Sequence, residues 1–342
     1  MRYKLLGKSG LRVSELALGT MTFGEEWGWG ASKSVSQQIF DAYANSGGNF
    51  IDTANRYTEG TAEKFIGEFI ASDREHFVVT TKYTLFTRRD DPNAAGNQRK
   101  NMMQSLHASL KRLNTEYVDL YWVHAWDFIT PVDEIMRALD DMVRAGKVLY
   151  IGVSDAPAWA IARANTLAEL RGWSSFIGLQ IPYSLVQRDG ERELLPMAHA
   201  LGIGVAAFSV LGNGVLSGKF NRGTASEKDR GTLWSSANDR KLAIAAEVIK
   251  VADEIGSTPS QVAFNWVRQQ PGVVIPIIGA RTLAQAQDNL KCVAFALSDA
   301  QMKRLDDVSK IELGFPHDFL ASDEIKDLVF GGTYDQIDHH HS

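Results

Sequence analysis

Runs of consecutive apolar residues alternate along this chain with stretches whose apolar residues recur every three or four positions. The runs are short and rich in Val, Ile, Leu and Phe: ELALGT, NFID, FVVTT, VDLYWV, VLYIGV, IGLQI, GVAAF and GVVIP. Continuous apolarity over so short a length fits parallel strands covered on both faces. The stretches between them show helical period. In PVDEIMRALDDMVRAG, Val132, Ile135, Met136, Leu139, Met142 and Val143 share one stripe. Thr130 is expected to cap that helix, with Pro131 in its first turn and Gly146 at its end. In DRKLAIAAEVIKVADEI the stripe is Leu242, Ala245, Val248, Ile249, Ala252 and Ile255. Thr258 with Gln261, and Ser298 with Gln301, read as capping boxes. Near the start, YKLL and RVSEL joined by GKSG read as a β-hairpin.

Eight strand–helix units with no Pro- or Ser-rich linker predict one α/β domain over 1–342. The expected architecture is a (β/α)8 TIM barrel preceded by an N-terminal β-hairpin. The stretches 20–33, 84–99 and 209–238 are too long for tight connections and are expected to be loops at the C-terminal face of the strands. The segment from about residue 311, with Phe315, Phe319 and Phe330, has no clear period and is expected to be peripheral.

Composition narrows the function classes. The 342 residues are 44% hydrophobic and 23% charged, enough for a large core and a solvated surface. A net charge of −5, with no basic stretch interleaved with aromatics, argues against nucleic acid. Cys292 is the sole cysteine, which excludes an intrachain disulfide and argues against a Cys-based metal cluster. No run approaches a membrane span, and MRYKLLGKSG lacks the apolar core of a signal peptide. The expectation is a soluble cytoplasmic protein with no membrane partner and no metal. The closing DHHHS is set aside from site reasoning.

Three of the predicted strands end in a reactive polar residue. Asp52 closes NFID, with Tyr57 five residues on; Lys82 follows FVVTT; His124 follows VDLYWV. Each alone suits a bland role: a turn-capping Asp, a loop Tyr, a solvated Lys, a hydrogen-bonded His. Their conjunction is more specific, because a parallel barrel gathers its strand ends on one rim. There an ammonium beside a phenol would pull the phenol pKa below about 10. An Asp would hold the ammonium charged, and a His could donate to a substrate oxygen. Together these make a tuned general acid.

The segments GGNFIDTANRY, TTKY, VDLYWVHAWD, YIGVSD, LQIPYS and IPIIGARTLAQAQDNL, in this order, resemble the aldo-keto reductase superfamily. The resemblance runs from about Leu11 to Leu290. HAWD and the long loops look most like its aryl-alcohol-dehydrogenase-like branch. The resemblance implies NADPH-dependent reduction of an aldehyde or ketone, reversible. Tyr57 is then the acid that protonates the carbonyl oxygen, Lys82 paired with Asp52 tunes it, and His124 orients the carbonyl. The cofactor supplies hydride, and the protein supplies position and electrostatics.

The same resemblance implies cofactor contacts. Ser154 and Gln180 match the residues that hold the nicotinamide carboxamide, and Tyr183 matches the aromatic that stacks on its ring. Asp155 stands where the family has Asn, and an ionised carboxylate cannot donate to the carboxamide oxygen. Thr20 and Asp52 are further expected contacts. Ser209, Leu211, Gly214 and Lys219 match the loop over the pyrophosphate. Gly279, Ala280, Arg281, Gln285, Asp288 and Asn289 match the segment around the adenosine phosphate. Gln285 there departs from Arg, and Asp288 from Glu. Arg281 can still meet a 2′-phosphate, which favours NADPH over NADH.

Phe23, Trp27, Trp29, Phe86 and Trp126 are candidates for the wall of a pocket that suits a small-molecule aryl or medium-chain carbonyl substrate. Gly212-x-Gly214 imitates a dinucleotide fingerprint, but its third Gly is one residue late. Gly218-Lys219 imitates a phosphate loop, yet Asn213 and Phe220 stand at two of its required positions. Two alternatives remain open at this point: a non-catalytic nicotinamide-binding subunit similar to channel β-subunits, which do not keep His at the position of His124, and a barrel isomerase or hydrolase without cofactor.

Overall fold

The computed structural model describes residues 1–225, 232 and 237–338. Strands β1 (Tyr3–Leu5) and β2 (Arg12–Ser14) form an antiparallel hairpin. Eight further strands close into a barrel: β3 (Ala17–Gly19), β4 (Phe50–Asp52), β5 (Val78–Tyr83), β6 (Val118–Val123), β7 (Val148–Ser154), β8 (Phe176–Pro182), β9 (Gly204–Phe208) and β10 (Val274–Ile278). Each pairs in parallel with its neighbour, and β10 returns to β3 through Ile277 and Ala17. The helices that cover the barrel lie between them, among them α1 (Lys33–Asn45), α2 (Thr61–Phe69), α3 (Arg99–Leu113) and α4 (Val132–Arg144). The architecture is the expected (β/α)8 barrel with an N-terminal hairpin.

The pleat sorts each apolar run into two layers. Ala17, Phe50, Val78, Leu120, Trp122, Ala206 and Ile275 cluster with Leu6 and Val13 of the hairpin, inside the barrel. Their neighbours Leu18, Ile51, Val79, Tyr121 and Val123 pack outward in the larger core. Trp122 fits inside because β7 and β8 present glycines to it. A Cβ on Gly152 would lie 2.4 Å from Trp122 Cε3, and one on Gly178 would lie 2.8 Å from its Cη2. The hairpin seats against the N-terminal end of the barrel through Gly7. At φ 59°, with its Cβ position 2.5 Å from the Ile177 carbonyl oxygen, only glycine suits that site.

Several local expectations need correction. Thr130 does not cap α4; its hydroxyl donates to Asp127 Oδ2 at 2.6 Å, and Pro131 stands at the N-cap without a side-chain bond. Gln261 completes only half a capping box: Thr258 accepts from its backbone, while its side chain donates to Asp288 Oδ1 at 2.7 Å. The Ser298–Gln301 box forms in full. Ile255 lies past the end of the helix Asp239–Glu254 and is exposed. The tail is not irregular throughout: it holds the helices His317–Leu320 and Asp323–Phe330. The long loops follow β3, β5 and β9, at the C-terminal face. Residues 226–231 and 233–236 of the third, and the terminal His run from 339, lie outside the described residues.

Candidate active site

The inward positions continue past the apolar plug. Counting by two, Phe50 leads to Asp52, Val78 through Thr80 to Lys82, and Leu120 through Trp122 to His124. Gly152 leads to Ser154, and Gly178 to Gln180. The axis-facing side chains at the C-terminal end are therefore polar. Lys82 Nζ is their hub. It donates to Asp52 Oδ2 at 2.7 Å, to the Thr53 carbonyl at 2.9 Å and to Tyr57 Oη at 2.9 Å. Asp52 Oδ1 also accepts from Gln180 Nε2 at 2.8 Å and Thr80 Oγ1 at 3.2 Å. Tyr57 arrives from the turn Tyr57–Gly60, where Thr58 and Glu59 adopt left-handed backbone at φ 46° and 56°. Its ring meets His124 edge-on, with centroids 6.1 Å apart.

This packing sets the protonation states. Lys82 is fully buried, which alone would lower its pKa, but Asp52 and Tyr57 outweigh burial and raise it. The ammonium persists. Burial pushes the Tyr57 phenol above its ordinary value of 10, and the Lys82 charge offsets only part of the rise. The net depression expected from a neighbouring ammonium is not what the site has. Burial, helped by the Lys82 charge, lowers His124 to about 3, so its ring is neutral. His124 Nδ1 is buried without a hydrogen-bond partner, which leaves Nε2 as the nitrogen able to face a ligand. A neutral phenol on a buried ammonium is a proton donor whose conjugate base is stabilised in advance.

A cleft of about 490 Å³ opens over this group. Of the expected cofactor contacts, Asp52, Ser154, Asp155, Gln180, Ser209, Leu211 and Gly279 line it. Asp155 and Ser209, with Asn213 beside them, hold left-handed backbone at φ 42°, 54° and 58°, a concentration of strained positions on one wall. The remaining expected contacts lie off this wall. The Thr20 hydroxyl donates to the Asp52 carbonyl at 3.0 Å. Tyr183 packs on Trp266, centroids 5.3 Å apart, and donates to Glu191 Oε1 at 2.8 Å. Asp288 accepts from Thr258 and Gln261, and Asn289 Nδ2 donates to the Gly279 carbonyl at 3.3 Å. Gln285 Oε1 accepts from the Arg281 backbone at 2.9 Å, and the Ala280 carbonyl accepts from Thr22 Oγ1 at 2.6 Å. Lys219 Nζ folds back over Gly214, 3.1 Å from where a Cβ would stand.

Among the aromatic candidates, Trp27 and Phe86 line the cleft. Trp29 packs on Trp27 at a tilt of 40°, centroids 5.5 Å apart. Phe23 and Trp126 are core residues instead: Phe23 is fully buried against Phe69, and Trp126 is buried in the layer between strands and helices. Met21, Arg56, Leu85, Phe208 and Phe264 line the cleft without having been singled out in the sequence. Adjacency was the available signal for four of them, since Met21 follows Thr20, Arg56 precedes Tyr57, Leu85 precedes Phe86 and Phe208 precedes Ser209. Among the described residues, no group of three or more His, Cys, Asp or Glu is placed to hold a metal, and no helix is long and apolar enough to cross a membrane.

Comparison with known proteins agrees with this geometry. The sequence profile described as "Aldo/keto reductase family" matches residues 15–310. An aryl-alcohol dehydrogenase [NADP(+)] from Phanerodontia chrysosporium is 36% identical over 352 aligned positions, covering 96% of this chain and 91% of the relative. A norsolorinic acid reductase from Aspergillus flavus is 35% identical over 326, covering 92% and 83%. Norsolorinic acid reductase B from Dothistroma septosporum is 35% identical over 333, covering 94% and 85%. With the barrel closed, the polar rim assembled and the profile spanning most of its length, the chain belongs to the aldo/keto reductase family of oxidoreductases.

Proposed function

We propose that the protein is an NADP(H)-dependent reductase of aldehydes and ketones, acting reversibly, with Tyr57 as its general acid. The observation that carries this is Lys82 Nζ holding Asp52 Oδ2 and Tyr57 Oη at once, at 2.7 and 2.9 Å, in the floor of the cleft. The residues fit a nicotinamide dinucleotide. Ser154, Asp155 and Gln180 converge beside Tyr57 and His124, and the same cleft continues to Ser209, Leu211, Asn213 and Gly279. A Cβ on Gly279 would meet nothing within 4 Å, so the approach there is open. Arg281, two residues beyond, is the cation we assign to the phosphate that distinguishes NADPH from NADH. The name of the aryl-alcohol dehydrogenase relative supports the same cofactor.

In this mechanism the bound cofactor supplies hydride to the carbonyl carbon. Tyr57 gives its proton to the carbonyl oxygen, and the resulting phenolate is held by the Lys82 ammonium. Asp52 keeps that ammonium fixed and charged. Neutral His124 donates from Nε2 to the same oxygen and aligns the carbonyl. The proton lost by Tyr57 returns from solvent. The test is NADPH oxidation with 4-nitrobenzaldehyde and a series of aliphatic aldehydes, with NADH run beside it. Tyr57→Phe should lower kcat about 10²- to 10⁴-fold, the scale of a lost general acid. Equal turnover by wild type and Tyr57→Phe would remove Tyr57 from the mechanism.

A further inference from the structure

Arg56 stands beside the proposed acid and is held from two sides. Its Nη1 and Nη2 donate to the two oxygens of Glu59, the second at 3.0 Å, and its guanidinium lies 4.3 Å from the centroid of Phe86. Those contacts use one edge and one face of the fork. The Nε–H and the second hydrogen on each Nη are left without a partner among the described residues. Because Arg56 lines the cleft with its side chain only 21% exposed, these are spare donors at the mouth of a reaction site. Glu59 does not cancel the charge. It is 48% exposed and open to solvent screening, it is shared with Trp27 Nε1 at 3.1 Å, and Arg89 lies on the same Phe86 ring at 4.6 Å. Arg56 and Arg89 thus both act on Glu59, while Asp91 of the loop after β5 is paired with Arg88. Of the two carboxylates that line the cleft, Asp52 is paired with Lys82, and Asp155 stands just past the end of β7 rather than on the loop that carries Arg56.

We propose that Arg56 is a specificity-determining residue that selects aromatic carbonyl substrates carrying an acidic group, a carboxylate or a phenolate. The inference rests on the reductase assignment above and deepens it. The carbonyl sits at Tyr57 and His124, the ring lies among Trp27, Leu85 and Phe86, and the acidic group meets the unspent edge of Arg56. A guanidinium fork already fixed by Glu59 and Phe86 loses little freedom on receiving it.

The experiment compares kcat/KM for 4-carboxybenzaldehyde with that for 4-carbamoylbenzaldehyde, which has the same outline and no charge; 3-carboxybenzaldehyde reports the ring position. Wild type should favour the acids by about tenfold or more, the smaller end of what a charge-assisted hydrogen bond supplies. Arg56→Gln should erase that ratio, chiefly through KM. Arg56→Lys should keep part of it, since the charge remains without the fork. Benzoate and benzamide titrated into the NADP(+)-bound protein, followed by tryptophan fluorescence, give the same comparison without turnover. A wild-type preference for the neutral compounds in both assays, or a ratio unmoved by Arg56→Gln, overturns the proposal. Failure to reduce any carbonyl with either nicotinamide would sink the reductase assignment instead, while the benzoate titration would still decide whether Arg56 receives an acid.

Discussion

Removing Asp52 and Lys82 singly and together isolates the energetics on which the site depends. The side chains are 5% and 0% exposed and their charged atoms lie 2.7 Å apart. At an effective dielectric of about 20 the attraction is about 6 kcal/mol, opposed by several kcal/mol of desolvation for each ion. The pair is therefore worth little net, whereas an orphaned member is expensive, about 3–5 kcal/mol. Lys82→Met leaves Asp52 with Gln180 and Thr80 as donors, so its cost falls near about 3 kcal/mol. Asp52→Asn leaves the ammonium only neutral acceptors, Thr53 and Tyr57, and should cost about 4 kcal/mol. The double variant strands no charge and should cost only about 1 kcal/mol, so the two changes couple by about 6 kcal/mol, the size of the lost attraction. Urea unfolding of the four proteins at neutral pH, read by tryptophan fluorescence, measures this. Additive losses would refute the reasoning. The sign of the pH dependence follows from the raised pKa of Lys82: its stabilisation is present below the ordinary lysine value of 10.5 and is lost as pH climbs through the higher folded value. The wild type should weaken only above about pH 10, and the double variant should weaken less steeply there, because the buried phenols Tyr57 and Tyr183, also raised, remain in both.

Two further outcomes follow from the same geometry. Because His124 is lowered to about 3 and Tyr57 is raised above 10, aldehyde reduction should be flat between about pH 5 and pH 9, while alcohol oxidation, which needs the Tyr57 phenolate, should keep rising with pH; a reduction limb falling near pH 7 to 8 would mean that Lys82 overrides burial. Gly152→Ala places a methyl 2.4 Å from Trp122 Cε3 and 3.1 Å from the Gly178 carbonyl and should cost about 1–3 kcal/mol in urea unfolding, with part of the loss recovered when Trp122→Leu is added; full stability in the single variant would show that Trp122 can move aside.

The strands were legible because both faces of each are buried, which writes them as unbroken apolar runs. The same property hid their pleat: Ile51 and Phe50 look alike in sequence although one packs outward and the other inward. What betrayed the inward row was its polar end. Asp52, Lys82, His124, Ser154 and Gln180 each stand two residues beyond an inward neighbour, so strand period alone carries them to the axis. No such rule extends into loops. Phe23 and Trp27 are four residues apart, yet the turn from Thr20 to Phe23 and the pairing of Gly24 with Ala31 send the first into the core and the second over the cleft. Tyr183 and Asp288 were legible as residue types with plausible partners, but their hydrogen bonds go to Glu191 and to Thr258 and Gln261.

The Tyr57 pKa is the sharper case. Sequence supplies the identity of its neighbours, and an ammonium neighbour predicts depression. The sign is decided by how much solvent the phenol keeps, a property of the several strand ends and loops around the cleft and of no single segment. A raised value still suits the chemistry. In the proposed mechanism reduction consumes a proton, so the donor must hold it at working pH, and Lys82 acts on the phenolate that forms rather than on the phenol that waits. What the buried ammonium governs is thus the barrier and the reverse reaction, which is why the oxidation limb of the pH profile, more than the reduction limb, reports on Lys82.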